Sequence, residues 1–180
     1  MTGSAKGFDA YFADRKLNAQ REKASIDCKS VVYLSKEEIE ELDQLRIAAL
    51  SNYSQEIHAD VSPIKIEEEL AYVPSSLKLT DKLVFRMCDQ GVLLAYALVF
   101  CSWPKVDEWT IEQLYINPSY KRQGLGSKLI NKIENVARTA EIKATSILSM
   151  PKRSNSESFW KIIGYTEIQQ GSNQIFRKEL

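Results

Sequence analysis

The chain has 180 residues, with 24 lysines and arginines balanced by 24 aspartates and glutamates. That length buries a real core in one domain without disulfides or metal, and the zero net charge excludes the broad basic field that gathers nucleic acid or an acidic membrane. Cys28, Cys88 and Cys101 are widely separated and, beside a single histidine, give no zinc-ligand spacing, so no metal site is expected and a reducing, cytoplasmic setting is.

Residues 1–29 hold no apolar run of signal-peptide type, and Asp9 and Asp14 argue against an organellar presequence. They read as an N-terminal extension before one domain over 30–180. SVVYL (30–34) predicts a short strand, and Ser35 with Glu38 forms a capping box before Ile39, Leu42, Leu45 and Ala49 at helical spacing. ALSNYSQEIHADVSP (49–63) mixes turn formers with polar residues and reads as largely loop. IKIEEELAY (64–72) follows as a second helix entered through Pro63.

KLVFRMC (82–88) and VLLAYALVF (92–100), joined at Gly91, have the pattern of an antiparallel hairpin, and EWTIEQLYI (108–116) adds a third strand to the meander. The apolar run ending at Cys101 is far short of the roughly 20 residues of a membrane span. Leu125, Leu129, Ile130, Ile133, Val136, Ala137 and Ala140 give one apolar helix face. ATSILSM (144–150) is the next strand and, with a helix between, pairs parallel with 108–116. SNSESFWKIIGY predicts a helix with Ser154 or Asn155 near its cap and Gly164 at its end, and YTEIQQ with NQIFRKEL closes the chain as a hairpin.

Between the third strand of the meander and the long helix stands NPSYKRQGLGSKLI, residues 117–130. Two close glycines opening a helix leave backbone N–H groups uncovered for an anion. A P-loop needs lysine directly after its last glycine, whereas Gly126 is followed by Ser127; a dinucleotide fingerprint needs a third glycine where Leu129 stands. Neither pattern fits.

KRQGLG, Lys121 to Gly126, resembles instead the acetyl-CoA signature Q/R-x-x-G-x-G/A of the GNAT superfamily of N-acetyltransferases, with lysine where the family usually has glutamine or arginine. NSESFWKIIGY (155–165) resembles the family's later segment, an asparagine followed by an aromatic pair, a lysine and a Gly-aromatic ending. The resemblance spans residues 30–180 and is weakest over 49–80.

It implies an α/β (α+β) fold of GNAT type: a mixed, mainly antiparallel sheet with a splayed parallel strand pair and helices on both faces. It also implies an acyltransferase that uses acetyl-CoA as cosubstrate and an amine acceptor, most simply the primary amine of a small molecule, by direct transfer in a ternary complex. A protein N-terminus or lysine as acceptor, and a non-catalytic acyl-CoA-binding module, are the alternatives. Nucleic acid and membrane are not expected partners, and an edge strand near the C-terminus suits a homodimer. By the family's pattern the main chain of Gln123, Gly124, Leu125, Gly126 and Ser127 contacts the pyrophosphate, with positive charge from Lys121, Arg122 and Lys128. Leu114, Tyr115 and Ile116 would pair with the pantetheine arm, Asn155 would contact it or cap its own helix or do both, and Trp160 would wall its end.

Acetyl transfer to an amine needs a neutral nucleophile, a stabilised oxyanion and a protonated leaving thiolate. Glu112 is the first candidate base, since IEQLYI resembles the carboxylate lead-in of many small-amine members of the family; a solvent-facing carboxylate is the plainer alternative. Strict alternation puts Glu112 on the face of Leu114 and Ile116 unless a β-bulge intervenes. His58 is the runner-up. Where the family often has a tyrosine as general acid this chain has Trp160, whose indole N–H is far too weak an acid, and Tyr165 occupies the family's buried Gly-aromatic position and is expected in the core.

Overall fold

A computed structural model describes residues 24–57, 64–148, 156–170 and 173–180. Seven strands, β1 (Ser25–Ser30), β2 (Lys82–Asp89), β3 (Val92–Phe100), β4 (Glu108–Ile116), β5 (Ala144–Leu148), β6 (Thr166–Gln170) and β7 (Asn173–Glu179), form one sheet in the order β1-β2-β3-β4-β5-β7-β6. Every neighbouring pair is antiparallel except β4 and β5. The helices are α1 (Lys36–Ile57), α2 (Ile66–Ala71), α3 (Leu125–Thr139) and α4 (Ser156–Ile162).

The sheet is covered on both sides. Leu125, Leu129, Ile130, Ile133 and Ala137 of α3 pack with Phe85, Val99, Trp109, Ile111 and Ile147, and Trp160 of α4 joins them. On the other face Leu42 and Leu45 of α1 and Ile66 and Leu70 of α2 pack on Val84, Leu93, Tyr96, Leu98 and Tyr115. The β2–β3 turn is tight because Gln90 (φ 49°) and Gly91 (φ 80°) are both left-handed, the geometry that matches the twist of a hairpin.

The first strand lies earlier than its apolar residues suggest. Residues 25–30, within and just beyond the stretch read as an extension, pair with β2 from Ser25↔Cys88 to Ser30↔Leu83. Val31–Tyr33 instead make a 3-10 turn that buries Val31 and exposes Val32 and Tyr33. An edge strand needs few apolar residues, so composition pointed to the wrong segment.

The capping box forms as expected, with Ser35 N–H donating to Glu38 Oε2 at 2.9 Å and Glu38 N–H to Ser35 Oγ at 3.3 Å. α1 then runs on to Ile57 through residues expected to be loop. No glycine or proline interrupts it, and exposed serine or asparagine lowers helix propensity by only about half a kcal/mol each. His58 and Pro63 lie outside the described residues, as do Ser154, Asn155 and the last two residues of the strand expected over 144–150.

Candidate active site

The parallel pairing of β4 with β5 is short. It runs from Glu108↔Ala144 to Ile111↔Ile147, braced by Thr110 Oγ1 and Ser146 Oγ at 2.9 Å. Among the described residues β4 has no β5 partner beyond Ile111, while β5 goes on pairing with β7 through Leu148↔Ile175. The two strands therefore part at Glu112.

The same residue carries a bulge toward β3. Leu98 faces Gln113 but Val99 faces Ile111, so Glu112 is the extra residue. The bulge breaks the alternation: Ile111, Leu114 and Ile116 all pack toward α3, whereas Glu112 turns to the α1/α2 face with Tyr115. The bulge that the sequence reading named as the exception is present, so Glu112 does not share the face of Leu114 and Ile116: an inserted residue shifts every side chain on one side of it.

Asn117 N–H donates to Leu94 O at 2.9 Å. In an antiparallel ladder alternate residues turn their main-chain groups to the partner, so Tyr115 and Gln113 also face β3 while Leu114 and Ile116 present N–H and C=O to the side where β5 has left. Two of the three residues expected along the pantetheine arm offer their main chain to the gap. Tyr115 does not.

The end of β4 leads through the turn Pro118–Tyr120 to the start of α3. Arg122 (φ 60°) and Gly124 (φ 77°, the N-cap) are both left-handed, which folds the chain sharply into the helix. Lys128 N–H makes the first intrahelical bond, to Gly124 O at 3.0 Å. The N–H groups of Leu125, Gly126 and Ser127 thus have no acceptor within the helix, and the dipole adds positive potential there. A Cβ at Gly124 would meet nothing within 4 Å, so its glycine answers to backbone shape; one at Gly126 would lie 3.2 Å from Phe159 Cζ and 3.9 Å from Ile116 Cδ1. The helix start, the open end of β4 and α4 converge at this glycine.

The charges expected around the turn divide. Lys121 reaches across to α1, binding Asn52 Oδ1 and pairing with Glu56 Oε1 at 2.9 Å, while Arg122 is exposed and Gln123 half-buried. Trp160, expected as a wall of the arm, is buried in the main core with its ring edge-on to Phe159 (4.9 Å between centroids) and Tyr165 (5.1 Å). Phe159, not Trp160, meets the glycine turn. Tyr165 is buried as expected, its hydroxyl 2.8 Å from Thr145 Oγ1.

Beneath the gap, on the α1/α2 face, Glu112 joins a group of charges of which the sequence pattern marks only Glu112 itself. Lys82, wholly buried, places Nζ 2.6 Å from Glu112 Oε2. It also donates to Glu69 O at 2.6 Å and Tyr72 O at 3.0 Å. Glu69 is buried beside Arg46, whose NH1 lies 3.6 Å from Glu69 Oε2, and the Tyr115 hydroxyl is 3.5 Å from the same oxygen. Burial raises the carboxyl pKa of Glu112, with Lys82 opposing the rise, and burial lowers that of Lys82. The only signal of Lys82 in the sequence is its place at the edge of an apolar run.

No cluster of metal ligands, and no helix long and apolar enough to cross a membrane, occurs among the described residues. Similar architecture recurs in solved structures. An acetyltransferase from Thermus thermophilus matches with a TM-score of 0.67 at 12% identity, over 87% of this chain and 97% of that one. The PaiA N-acetyltransferase of Thermoplasma acidophilum, solved in complex with coenzyme A, matches with a TM-score of 0.62 at 20% identity, over 87% and 99%. The ribosomal-protein-S18-alanine N-acetyltransferase of Escherichia coli matches with 0.62 at 14%, over 87% and 92%. Comparison with curated protein sequences gave no match. The family model of the acetyltransferase (GNAT) family matches residues 43–165, a span that takes in most of α1, the splayed strands, the glycine turn and α4, and the chain belongs to that family.

Proposed function

We propose that the protein transfers the acetyl group of acetyl-CoA directly to the primary amine of a small molecule within a ternary complex. One observation carries the reading: the open main-chain edge at Leu114 and Ile116 ends beside the uncovered N–H groups at the start of α3, with Ile116 Cδ1 3.9 Å from the Cβ position of Gly126. A pantetheine arm paired like an added strand along that edge brings its pyrophosphate to Gln123–Ser127, where a compact dianion suits N–H donors and a helix dipole. The thioester end then points back toward the bulge.

On this placement the cosubstrate lies on the α3 side and the amine approaches from the α1/α2 side, where Glu112 points. Glu112 takes the proton of the ammonium, which ordinarily holds it up to about pH 10.4. The freed nitrogen attacks the thioester carbon, and the oxyanion accepts a hydrogen bond from Leu114 N–H, which faces the gap, rather than from Tyr115 N–H, which faces β3. Collapse breaks the carbon–sulfur bond, and the nitrogen gives up its second proton to the departing thiolate or to water, which leaves a neutral amide. The thiolate departs as an anion of modest basicity, with cysteine at about 8.5 as reference, so turnover near neutrality does not require a dedicated acid at Trp160.

Thiol release from acetyl-CoA, scanned over monoamines, diamines and amino acids and over peptides with free N-termini or lysines, tests the reading. Turnover with small amines is expected. Release with peptides alone moves the acceptor to protein, and tight binding of acetyl-CoA with no release on any panel makes the chain a binding module. With the most active amine, Glu112→Gln is expected to cut kcat by roughly 10² at little change in acetyl-CoA affinity; unchanged turnover removes Glu112 from the chemistry.

A further inference from the structure

We propose that Lys82 is a positioning residue for acetyl transfer: from full burial in β2 it ties the Glu112 carboxylate, at the bulge where β4 leaves β5, to the C-terminal end of α2. The inference rests on the assignment of Glu112 as the acceptor's base.

An ammonium has three N–H donors, and Lys82 has three oxygen partners: Glu112 Oε2 at 2.6 Å, Glu69 O at 2.6 Å and Tyr72 O at 3.0 Å. The two carbonyls belong to the end of α2, where helical carbonyls lack intrahelical donors and a cation is favoured by the dipole. Phe100 covers the ammonium at 5.0 Å from its ring centre and Tyr72 at 6.0 Å. Two hydrogen bonds to backbone carbonyls, an ion pair with Glu112 and two covering rings hold the ammonium in one place. The ion pair gives the Glu112 carboxylate an anchor at the one residue of β4 where the ladder itself gives none.

A helix cap alone accounts for two of the three contacts. The third crosses from β2 to the bulge and commits a buried charge to a single carboxylate, a pair whose replacement by well-packed apolar side chains is often neutral for stability. The other charged or titratable groups around the pair are Glu69 from α2, Arg46 and Asp43 from α1, Tyr96 from β3 and Tyr115 from β4. Arg46 pairs with Asp43 at 2.6 Å and lies 3.6 Å from Glu69, which leaves Lys82 as the cation that addresses Glu112. With its cation removed, the buried carboxylate ionises less readily, so the pH at which the base becomes competent rises.

The test follows the Glu112 carboxyl carbon by 13C NMR in glutamate-labelled protein, its resonance assigned by its loss in Glu112→Gln, and in parallel the pH profile of kcat/KM with the panel's most active amine. Lys82→Met is expected to move the carboxyl midpoint and the acid limb upward by about one pH unit or more and to lower kcat at least tenfold, with acetyl-CoA affinity changed less than twofold. If Lys82→Met does not fold, Lys82→Gln, which still donates to the α2 carbonyls but lacks the charge, is expected to show the same displacement. Lys82→Arg is expected to return the acid limb toward the wild-type position. A midpoint and acid limb unmoved in the folded Lys82→Met or Lys82→Gln protein overturns the role of Lys82 while leaving Glu112 as base. Undiminished turnover in Glu112→Gln overturns both, and identifies the assignment of the base as the failure.

Discussion

Phe159 lies against Gly126: a Cβ on that glycine would sit 3.2 Å from Phe159 Cζ and 3.4 Å from Cε2. The two sequence motifs that carry the family resemblance therefore touch, one glycine of the first lying under an aromatic ring of the second.

Gly126→Ala asks Phe159 to give by a few tenths of an ångström, and Gly126→Val asks more. The valine variant is expected to lose about 1–3 kcal/mol of stability through overpacking and to weaken acetyl-CoA binding by at least about 2 kcal/mol, since the branched side chain also crowds the N–H groups beside it. Thermal unfolding and calorimetric titration measure the two losses separately. Unchanged affinity in a folded Gly126→Val protein removes the pyrophosphate from this turn.

Gly124 separates backbone shape from ligand approach. Its φ of 77° is strained for an L side chain, yet a Cβ there meets nothing within 4 Å, so Gly124→Ala is expected to cost about 1 kcal/mol. Gly124→Asn, which tolerates the left-handed region better, should recover part of that loss. If the pyrophosphate fills the open space, neither variant recovers acetyl-CoA affinity; an asparagine variant that regains both stability and affinity would show that only the backbone mattered.

The parts of this fold that were legible in the sequence are local. The meander, the apolar face of α3 and the glycine turn announce themselves within about a dozen residues, by period or by punctuation. The splay, the bulge and the Lys82–Glu112 pair are not local. Where Glu112 points depends on the offset between Leu98↔Gln113 and Val99↔Ile111, a property of two strands, and alternation along one strand misplaces it. Lys82 begins β2 and reads as a polar strand end until α2 closes over it. β1 was missed because an edge strand of Ser25, Asp27 and Lys29 has little apolar signature, while Val31–Tyr33 beside it has plenty.

Glu38 ties the start of α1 to the sheet and gives a pH test of the fold. Its carboxylate accepts from Lys29 Nζ at 2.6 and 2.8 Å and from Ser35 N–H at 2.9 Å, and it pairs with Arg86. Burial by itself raises the carboxyl pKa, but the Lys29 and Ser35 hydrogen bonds and the Arg86 charge outweigh it, and the net direction is downward. A carboxylate with a depressed folded pKa contributes stability above its unfolded value, near 4.3 for glutamate, and loses it as the pH falls through the folded value. Glu38→Gln is expected to lower stability by about 1–2 kcal/mol at neutral pH, with the gap to wild type closing below about pH 4. Melting temperatures of the two proteins across that range decide it, and a gap that stays constant to low pH would assign the loss to shape and not to charge.

Trp160 stands where the family often has an acidic hydroxyl, and its surroundings favour packing over proton transfer. It is 4% exposed, in the main core, with Phe159 and Tyr165 edge-on at 4.9 and 5.1 Å. Trp160→Ala should therefore lose about 3–5 kcal/mol, whereas Trp160→Phe keeps a ring in the same rotamer space and should retain most activity. Trp160→Tyr separates the two roles, because it adds the hydroxyl that the family position usually carries. In this packing that hydroxyl enters an apolar core, so a modest loss of stability and no gain in kcat are expected. A rise in kcat would show that the position reaches the departing sulfur after all. A Trp160→Phe protein that binds acetyl-CoA normally yet loses about 10³ in kcat would overturn the packing role outright, since a loss of that size needs a specific contact by the indole N–H.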